Sequence, residues 1–307
     1  MKRVLCAVDL SDLSVELVEC AAAIEQWYGG CLTILHVVPT FDAVERHPGK
    51  WFDPVTVVYS MRRDDVIEPM RQAAAAAGIP DDRVRYEAES GEPGMMIVAR
   101  ALALRADTIV LGTRARRGLD RLLGSVTDSV LRHAPCDVLT VPPSPSSASG
   151  NVRASRIVCG IDFSTQSLHA LRATFGLADR IDARVELVHA IEWLAEVEPP
   201  DDVDFDVSDF RARLVYNAQR RLDALVTDEA PLDRAVRTKV AIGRSHRELL
   251  PVATEDHADL IVVGNQGRGG ATLPFLGSTV EQIVRAAPCP VLTIRSPHER
   301  LLHAQHP

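Results

Sequence analysis

No apolar run in this 307-residue chain approaches the roughly 20 residues that a membrane-spanning helix needs. The opening Met1-Lys2-Arg3-Val4-Leu5-Cys6 leads into a short strand pattern and lacks the form of a signal peptide, so a cytoplasmic protein with no membrane role is expected. Positive charge is not in surplus either: 34 Lys and Arg stand against 42 Asp and Glu, a net charge of −8, which disfavours a nucleic-acid partner. Cysteines at CxxC spacing are missing. The six present (Cys6, Cys20, Cys31, Cys136, Cys159, Cys289) mostly lie in or beside Val/Leu-rich runs, where a thiol packs as a small hydrophobe. The sequence contains no GxxxxGK[ST], HExxH or GxSxG, so the P-loop NTPase, zinc protease and serine hydrolase readings lack their central groups. What is present is 46% hydrophobic and 25% charged residues at a mean hydropathy of +0.01, the balance of a folded chain with one large or two ordinary domains.

The chain repeats itself once. Arg3-Val4-Leu5-Cys6-Ala7-Val8-Asp9-Leu10-Ser11 returns as Arg156-Ile157-Val158-Cys159-Gly160-Ile161-Asp162-Phe163-Ser164, and His36 returns as His189. Asp107-Thr108-Ile109-Val110-Leu111-Gly112 matches Asp259-Leu260-Ile261-Val262-Val263-Gly264, and Ala134-Pro135-Cys136 to Val141 matches Ala287-Pro288-Cys289 to Ile294. The stretch Pro142 to Gly150 is rich in Pro and Ser and reads as a linker. The expected division is a first domain over 1–143, a linker over 144–152, a second domain over 153–297 and a tail over 298–307.

Within the first half, strands are expected near Val4–Val8, Leu32–Val37, Val84–Glu87, Thr108–Gly112 and Asp137–Val141. Between the first two, Leu17, Ala21, Ile24 and Tyr28 share one helix face, with Ser11 or Ser14 as N-cap and Gly29-Gly30 as the stop. Met70 to Ala77 favours helix and ends at Gly78. The second half keeps this rhythm, with Leu168, Leu171, Phe175 and Ala178 on one face. Apolar strands separated by helices imply parallel sheets covered on both sides. Each half is therefore expected to be a doubly wound, five-stranded α/β domain.

In such a sheet the ligand lies at the carboxyl ends of the strands, where the winding direction reverses. The first strand of each half ends in an aspartate, Asp9 or Asp162, able to accept hydrogen bonds from a ribose or a base; the alternative is that Asp and Ser cap the following helix. After the fourth strand of the second half come glycines at 264, 267, 269 and 270, which let the backbone approach a ligand closely. Gly277-Ser278-Thr279 then opens a helix, where free N–H groups and hydroxyls favour phosphate oxygens. His36 and His189 end the second strands and either touch a ligand or pack with a satisfied ring nitrogen. The acidic stretch from Glu196 to Asp209 lacks the ordering of a calcium loop and reads as a solvated lid or interaction surface, and its counterpart around Phe41 to Met61 carries Trp51, Phe52 and Tyr59.

Gly264-x-x-Gly267, nine residues, then Gly277-Ser278, following a DLIVVG strand, resembles the ATP-binding signature of the universal stress protein family; the whole chain resembles its tandem two-domain members. The resemblance implies an adenine nucleotide alpha hydrolase-like fold with strand order 3-2-1-4-5. It implies that Asp162 contacts ribose or base, that Ile161 and Ala190 line an adenine slot, and that Val263, Gly264, Gln266, Gly267, Gly277, Ser278 and Thr279 surround ribose and phosphates. ATP is the implied cofactor, with AMP or ADP as alternatives and Mg accompanying ATP. Pro274 departs from the family's usual loop.

The first half departs further, with Ala115 in place of the second glycine and eight residues before Gly124. Asp9, Gly112, Gly124, Ser125, Val126 and Thr127 remain, and Arg114, Arg116 and Arg117 add positive charge. This half is read either as a site for a nucleotide or other anion, or as a solvated basic loop; if one half alone is occupied, it is the second. The expected role is a nucleotide-dependent stress-response regulator with an unidentified protein partner. The alternatives are a weak ATPase or phosphotransferase, and a nucleotide-free interaction module. In the family the last strands mediate dimer contacts, so Val138–Val141 and Val291–Ile294 are expected to pair the two halves about a pseudo-twofold axis, with homodimerisation as a further option.

Overall fold

The computed structural model describes residues 2–11, 14–39, 63–113, 123–143, 154–192, 207–231, 235–267 and 276–296. The first half runs β1 (Lys2–Val8), α1 (Ser14–Tyr28), β2 (Gly30–Pro39), α2 (Arg63–Ala76), β3 (Val84–Gly91), α3 (Pro93–Leu104), β4 (Thr108–Gly112), α4 (Ser125–His133) and β5 (Asp137–Val141). The second half runs β6 (Arg156–Gly160), α5 (Thr165–Ile181), β7 (Arg184–Ile191), α6 (Val207–Glu229), β8 (Val236–Ile242), α7 (Ser245–Glu255), β9 (Leu260–Gly264), α8 (Ser278–Ala286) and β10 (Val291–Ile294).

Helix α1 forms where the apolar stripe demands it. Leu17, Ala21 and Ile24 are buried, and the chain leaves the helix at Gly29, whose φ of +60° is the left-handed turn that glycine takes without steric penalty. Ser14 is the first helical residue instead of the cap, with its N–H bonded to the Ser11 carbonyl at 3.0 Å; the cap position, residue 13, lies outside the described residues. Helix α2 begins seven positions before Met70, at Arg63. It closes through Gly78 (φ +72°), with Ile79 N–H on the Ala74 carbonyl and Gly78 N–H on that of Ala75. In α5, Leu171, Phe175 and Ala178 are buried and Leu168 is half-buried, while the Ser164 hydroxyl caps the helix by accepting from Ser167 N at 3.2 Å.

All strands join one sheet in the order β3-β2-β1-β4-β5-β10-β9-β6-β7-β8, so each half has the order 3-2-1-4-5. Pairing is parallel throughout except between β5 and β10. Alternation along β1 shows why both faces are covered. Val4, Cys6 and Val8 enter a core shared with Leu17, Ile24 and Met70 from the helices on one side, whereas Leu5 enters another with Ile97, Val130 and Leu131 from the other side. β1 neighbours β4 and β6 neighbours β9, which opens a crevice at each winding reversal.

At the seam the two halves meet antiparallel, Leu292 opposite Leu139 and Thr293 opposite Val138. Leu139 thus faces its own counterpart in the repeat, which places a pseudo-twofold axis between them. Pairing β5 with β10 satisfies two short edge strands at once. Arg295, 3% exposed, extends from the end of β10 into the other half: its N–H meets Asp137 Oδ1 at 3.0 Å and its Nη2 meets the Leu131 carbonyl at 2.5 Å.

Five of the cysteines are buried; burial holds the Cys6 thiol far above its ordinary pKa and pushes Cys20, Cys159 and Cys289 up to about 12. Cys31 departs from the packing expectation: it stands exposed near the start of β2. Among the described residues no helix is long and apolar enough to cross a membrane.

Candidate functional site

The C-terminal crevice is built from the ends of β6, β7 and β9 and the start of α8. Gly160, last in β6, sits where a Cβ would lie 2.8 Å from Leu249 Cδ1, so a larger residue there would require the Leu249 side chain to shift. Beyond it, Ile161 N–H bonds to the Val188 carbonyl at 2.8 Å, and the Ile161 carbonyl accepts from His189 Nδ1 at 2.7 Å. A carbonyl can only accept, so the His189 proton sits on Nδ1. His36 makes the same bond to the Val8 carbonyl at 2.8 Å. Both histidines are packed with a satisfied nitrogen, and both also line a cavity.

Asp162 Oδ1 accepts from Ser164 N at 2.9 Å and from Ser164 Oγ at 2.6 Å. Ser164 in turn caps α5, so the capping role of this Asp-x-Ser is realised together with its place in the cleft. Between these two residues the backbone turns left-handed at Phe163 (φ 62°), and it does so again at Leu10 (φ 59°) in the first half. A bulky non-glycine residue in this region is held there by its surroundings at about 1–3 kcal/mol. The Phe163 ring lies 4.5 Å from that of His189 and has the Arg221 guanidinium 3.9 Å above it, contacts that secure the turn. The turn is what directs the chain from the strand end into α5 while leaving Asp162 at the rim.

The loop after β9 is pinned at both ends. Asn265, 2% exposed, donates its N–H to the Ile294 carbonyl at 3.0 Å, and its own carbonyl accepts from Gly277 N at 3.2 Å. The first half repeats this with Thr113 N to Val141 O at 3.0 Å and Gly124 N to Thr113 O at 3.1 Å. Two glycines then allow close backbone approach: a Cβ on Gly264 would lie 2.9 Å from the Gln166 backbone, and one on Gly267 would lie 2.8 Å from Asp162 Oδ2. Gly277 is the N-cap of α8 and has no side chain to occupy the first N–H groups of that helix.

Together these elements enclose a cavity of about 650 Å³, lined by Ile161, Asp162, Ala190, Val263, Gly264, Gln266, Gly267, Gly277, Ser278 and Thr279. All ten residues expected from the sequence are thus brought to one place. Residues 268–275, with Gly269, Gly270 and Pro274, lie outside the described residues. The first half holds a smaller cavity of about 360 Å³, lined among others by Asp9, Gly112, Gly124, Ser125, Val126 and Thr127. There the Thr127 hydroxyl donates to the Gly112 carbonyl at 2.7 Å, a bond its counterpart Val280 cannot make. Arg114, Arg116 and Arg117 lie outside the described residues, as do the aromatic segment 41–61 and the acidic segment up to residue 206; Asp209 is exposed in the first turn of α6.

Several lining residues carry no signal in the sequence motifs, and two of them bond to each other. Glu192 and Ser245 border the larger cavity, and Glu192 Oε1 accepts from Ser245 N at 2.9 Å and Ser245 Oγ at 2.8 Å, capping α7 from the end of β7. The signal available for Glu192 was its position just past a carboxyl strand end, the edge where ligands bind. These bonds from Ser245 hold the Glu192 carboxyl below its ordinary pKa. A depressed folded-state pKa contributes stability that is complete above the unfolded value and is lost as pH falls through the folded one. Glu192→Gln should therefore lower stability at about pH 7 and converge on the parent below about pH 3, a difference that urea denaturation at the two pH values reads directly. Equal differences at both pH values would show that the carboxylate charge contributes nothing there.

The fold and its two crevices define a tandem, doubly wound α/β protein with a glycine-bordered loop facing a helix N-terminus in the larger cleft. Residues 1–142 and 154–295 match the model of the Universal stress protein family, and the chain belongs to that family. It is 28% identical over 314 residues to the universal stress protein Rv1996 of Mycobacterium tuberculosis, covering 96% of each chain. It is 34% identical over 191 residues to Rv2005c of the same organism, a match that spans 62% of each. Among solved structures, a universal stress protein from Archaeoglobus fulgidus shares the fold with a TM-score of 0.64 at 20% identity, covering 95% of this chain and 98% of that one.

Proposed function

We propose that this chain is an adenine-nucleotide-binding regulator of the stress response, with its main site in the C-terminal cleft and ATP as the occupant. The observation that supports this reading is the convergence of one carboxylate and a side-chain-free backbone on the same cavity: Asp162 at the end of β6 faces Gly267, with Gly264 and the uncapped start of α8 alongside. The residues fit such a group. A Cβ at Gly267 would fill the space next to Asp162 Oδ2, and a cavity of about 650 Å³ is within the range of small-molecule sites. In this reading Asp162 accepts from the ribose hydroxyls, Ile161 and Ala190 border the base, and the amides around Gly264, Gly267 and Gly277 with the hydroxyls of Ser278 and Thr279 take the phosphates, with Mg as their counter-ion.

Binding without turnover is the preferred form. The two cleft carboxylates are held as acceptors, Asp162 by Ser164 and Glu192 by Ser245, which suits recognition better than proton abstraction. The regulatory step is a difference in the surface that a protein partner meets at the cleft when the cleft is filled.

The test is to denature the purified full-length chain and identify by mass spectrometry whatever small molecule it releases. An adenine nucleotide, up to one per chain, is expected. A released molecule of another class, or a chain that neither carries nor takes up any adenine nucleotide, would overturn the reading.

A further inference from the structure

We propose that the N-terminal cleft is a site of a different kind, one that takes an uncharged, flat, largely apolar molecule of nucleoside size or smaller bearing hydrogen-bond donors, and not a nucleotide. The two clefts share a backbone plan, so differences between equivalent positions report what each can hold. Where the C-terminal cavity is bordered by Glu192, Ser245 and Thr279, the N-terminal one is bordered at the repeat-equivalent positions by Pro39, Pro93 and Val126. Each exchange removes hydrogen-bonding capacity and adds apolar surface. An exchange in the other direction among the described residues, Thr127 for Val280, returns little, because the Thr127 hydroxyl hydrogen is already given to the Gly112 carbonyl.

The carboxylates differ in placement between the two clefts. Among the described residues the cavity is bordered by two carboxylates, the exposed Asp9 and the half-buried Glu16, as the larger one is by Asp162 and Glu192; the equivalent of Glu16 in the second half is His169, which does not border the larger cavity. A carboxylate there accepts from the hydroxyl or amino donors of such a molecule. Leu35, Ile97 and Leu111 make much of the remaining wall aliphatic, beside His36, Ser11, Ser125 and Thr127. A volume of about 360 Å³ sits at the lower end of the range for small-molecule sites, enough for a heterocycle with a small polar substituent.

This inference stands apart from the nucleotide reading of the C-terminal cleft, and the test separates them. Indole and adenosine, as uncharged probes, and ATP are titrated calorimetrically into the full-length chain, into Val126→Trp, which fills the N-terminal cleft from its rim, and into Gly267→Leu, which closes the other. At least one uncharged probe is expected to bind the parent and to weaken by about tenfold or more in Val126→Trp while keeping its affinity in Gly267→Leu. ATP is expected to be unaffected by Val126→Trp. If Val126→Trp alters the melting curve, the exposed Ser125→Trp on the same rim replaces it. Failure of both uncharged probes to bind, or an ATP site lost in Val126→Trp, overturns the proposal. Loss of ATP binding everywhere with the probe pattern intact would overturn only the nucleotide reading.

Discussion

Replacing Gly267 with leucine should lower affinity for ATP by about 10- to 100-fold, the range expected when a side chain is forced into an occupied space at about 1–3 kcal/mol. The Cβ alone would stand 2.8 Å from Asp162 Oδ2, so the new side chain intrudes on the carboxylate proposed to hold the ribose. Gly267 is exposed, so the substitution leaves the core untouched and the melting temperature should change little. Equilibrium dialysis with labelled ATP measures the loss. The N-terminal half supplies a natural version of the same change, because Ala115 occupies the equivalent position. An unchanged affinity in Gly267→Leu would mean that ATP does not pass between this glycine and Asp162.

Arg295→Ala should destabilise the whole chain by about 3 kcal/mol, the largest stability effect expected of a single change at the seam. Arg295 is 3% exposed and its Nη2 reaches the Leu131 carbonyl near the end of α4, while its backbone N–H, which alanine keeps, bonds to Asp137. Truncation leaves a cavity and a buried carbonyl without its donor, two costs that compound. The repeat-equivalent of Arg295 is Pro142 and that of Asp137 is Pro290, so no symmetric contact takes over the load. Urea denaturation gives the comparison, with Lys239→Ala as control. Lys239 pairs at 3.9 Å with the exposed Glu255, so its removal should cost under about 1 kcal/mol. Similar small effects for both would show that the two halves are held by strand pairing alone.

The elements that sequence reveals best are those set by local rules. The expected β4 and β5 coincide with the observed strands, and α1 ends at Gly29, because a short β-branched run and a left-handed glycine carry their own instructions. The convergence of Asp162, Gly264, Gly267 and Gly277 was likewise legible, since the crossover topology dictates which strand ends share an edge. Features decided by tertiary contact were not. Nothing local marks Phe163 and Leu10 for left-handed backbone; the fold imposes it in both halves. The capping of α7 by Glu192 joins residues 53 apart, and the reach of Arg295 to Leu131 spans 164. Helix α6 extends over 23 residues to Glu229, although only its first turn overlaps the stretch that acidic composition marked as a lid.

The most direct test of the central claim is calorimetric titration of ATP into the full-length chain, with a parallel melting curve at saturation. One site per chain is predicted, together with a rise in melting temperature of the size that ligand binding to the folded state requires. No heat and no thermal shift at saturating adenine nucleotide would contradict the claim and leave only the architecture standing.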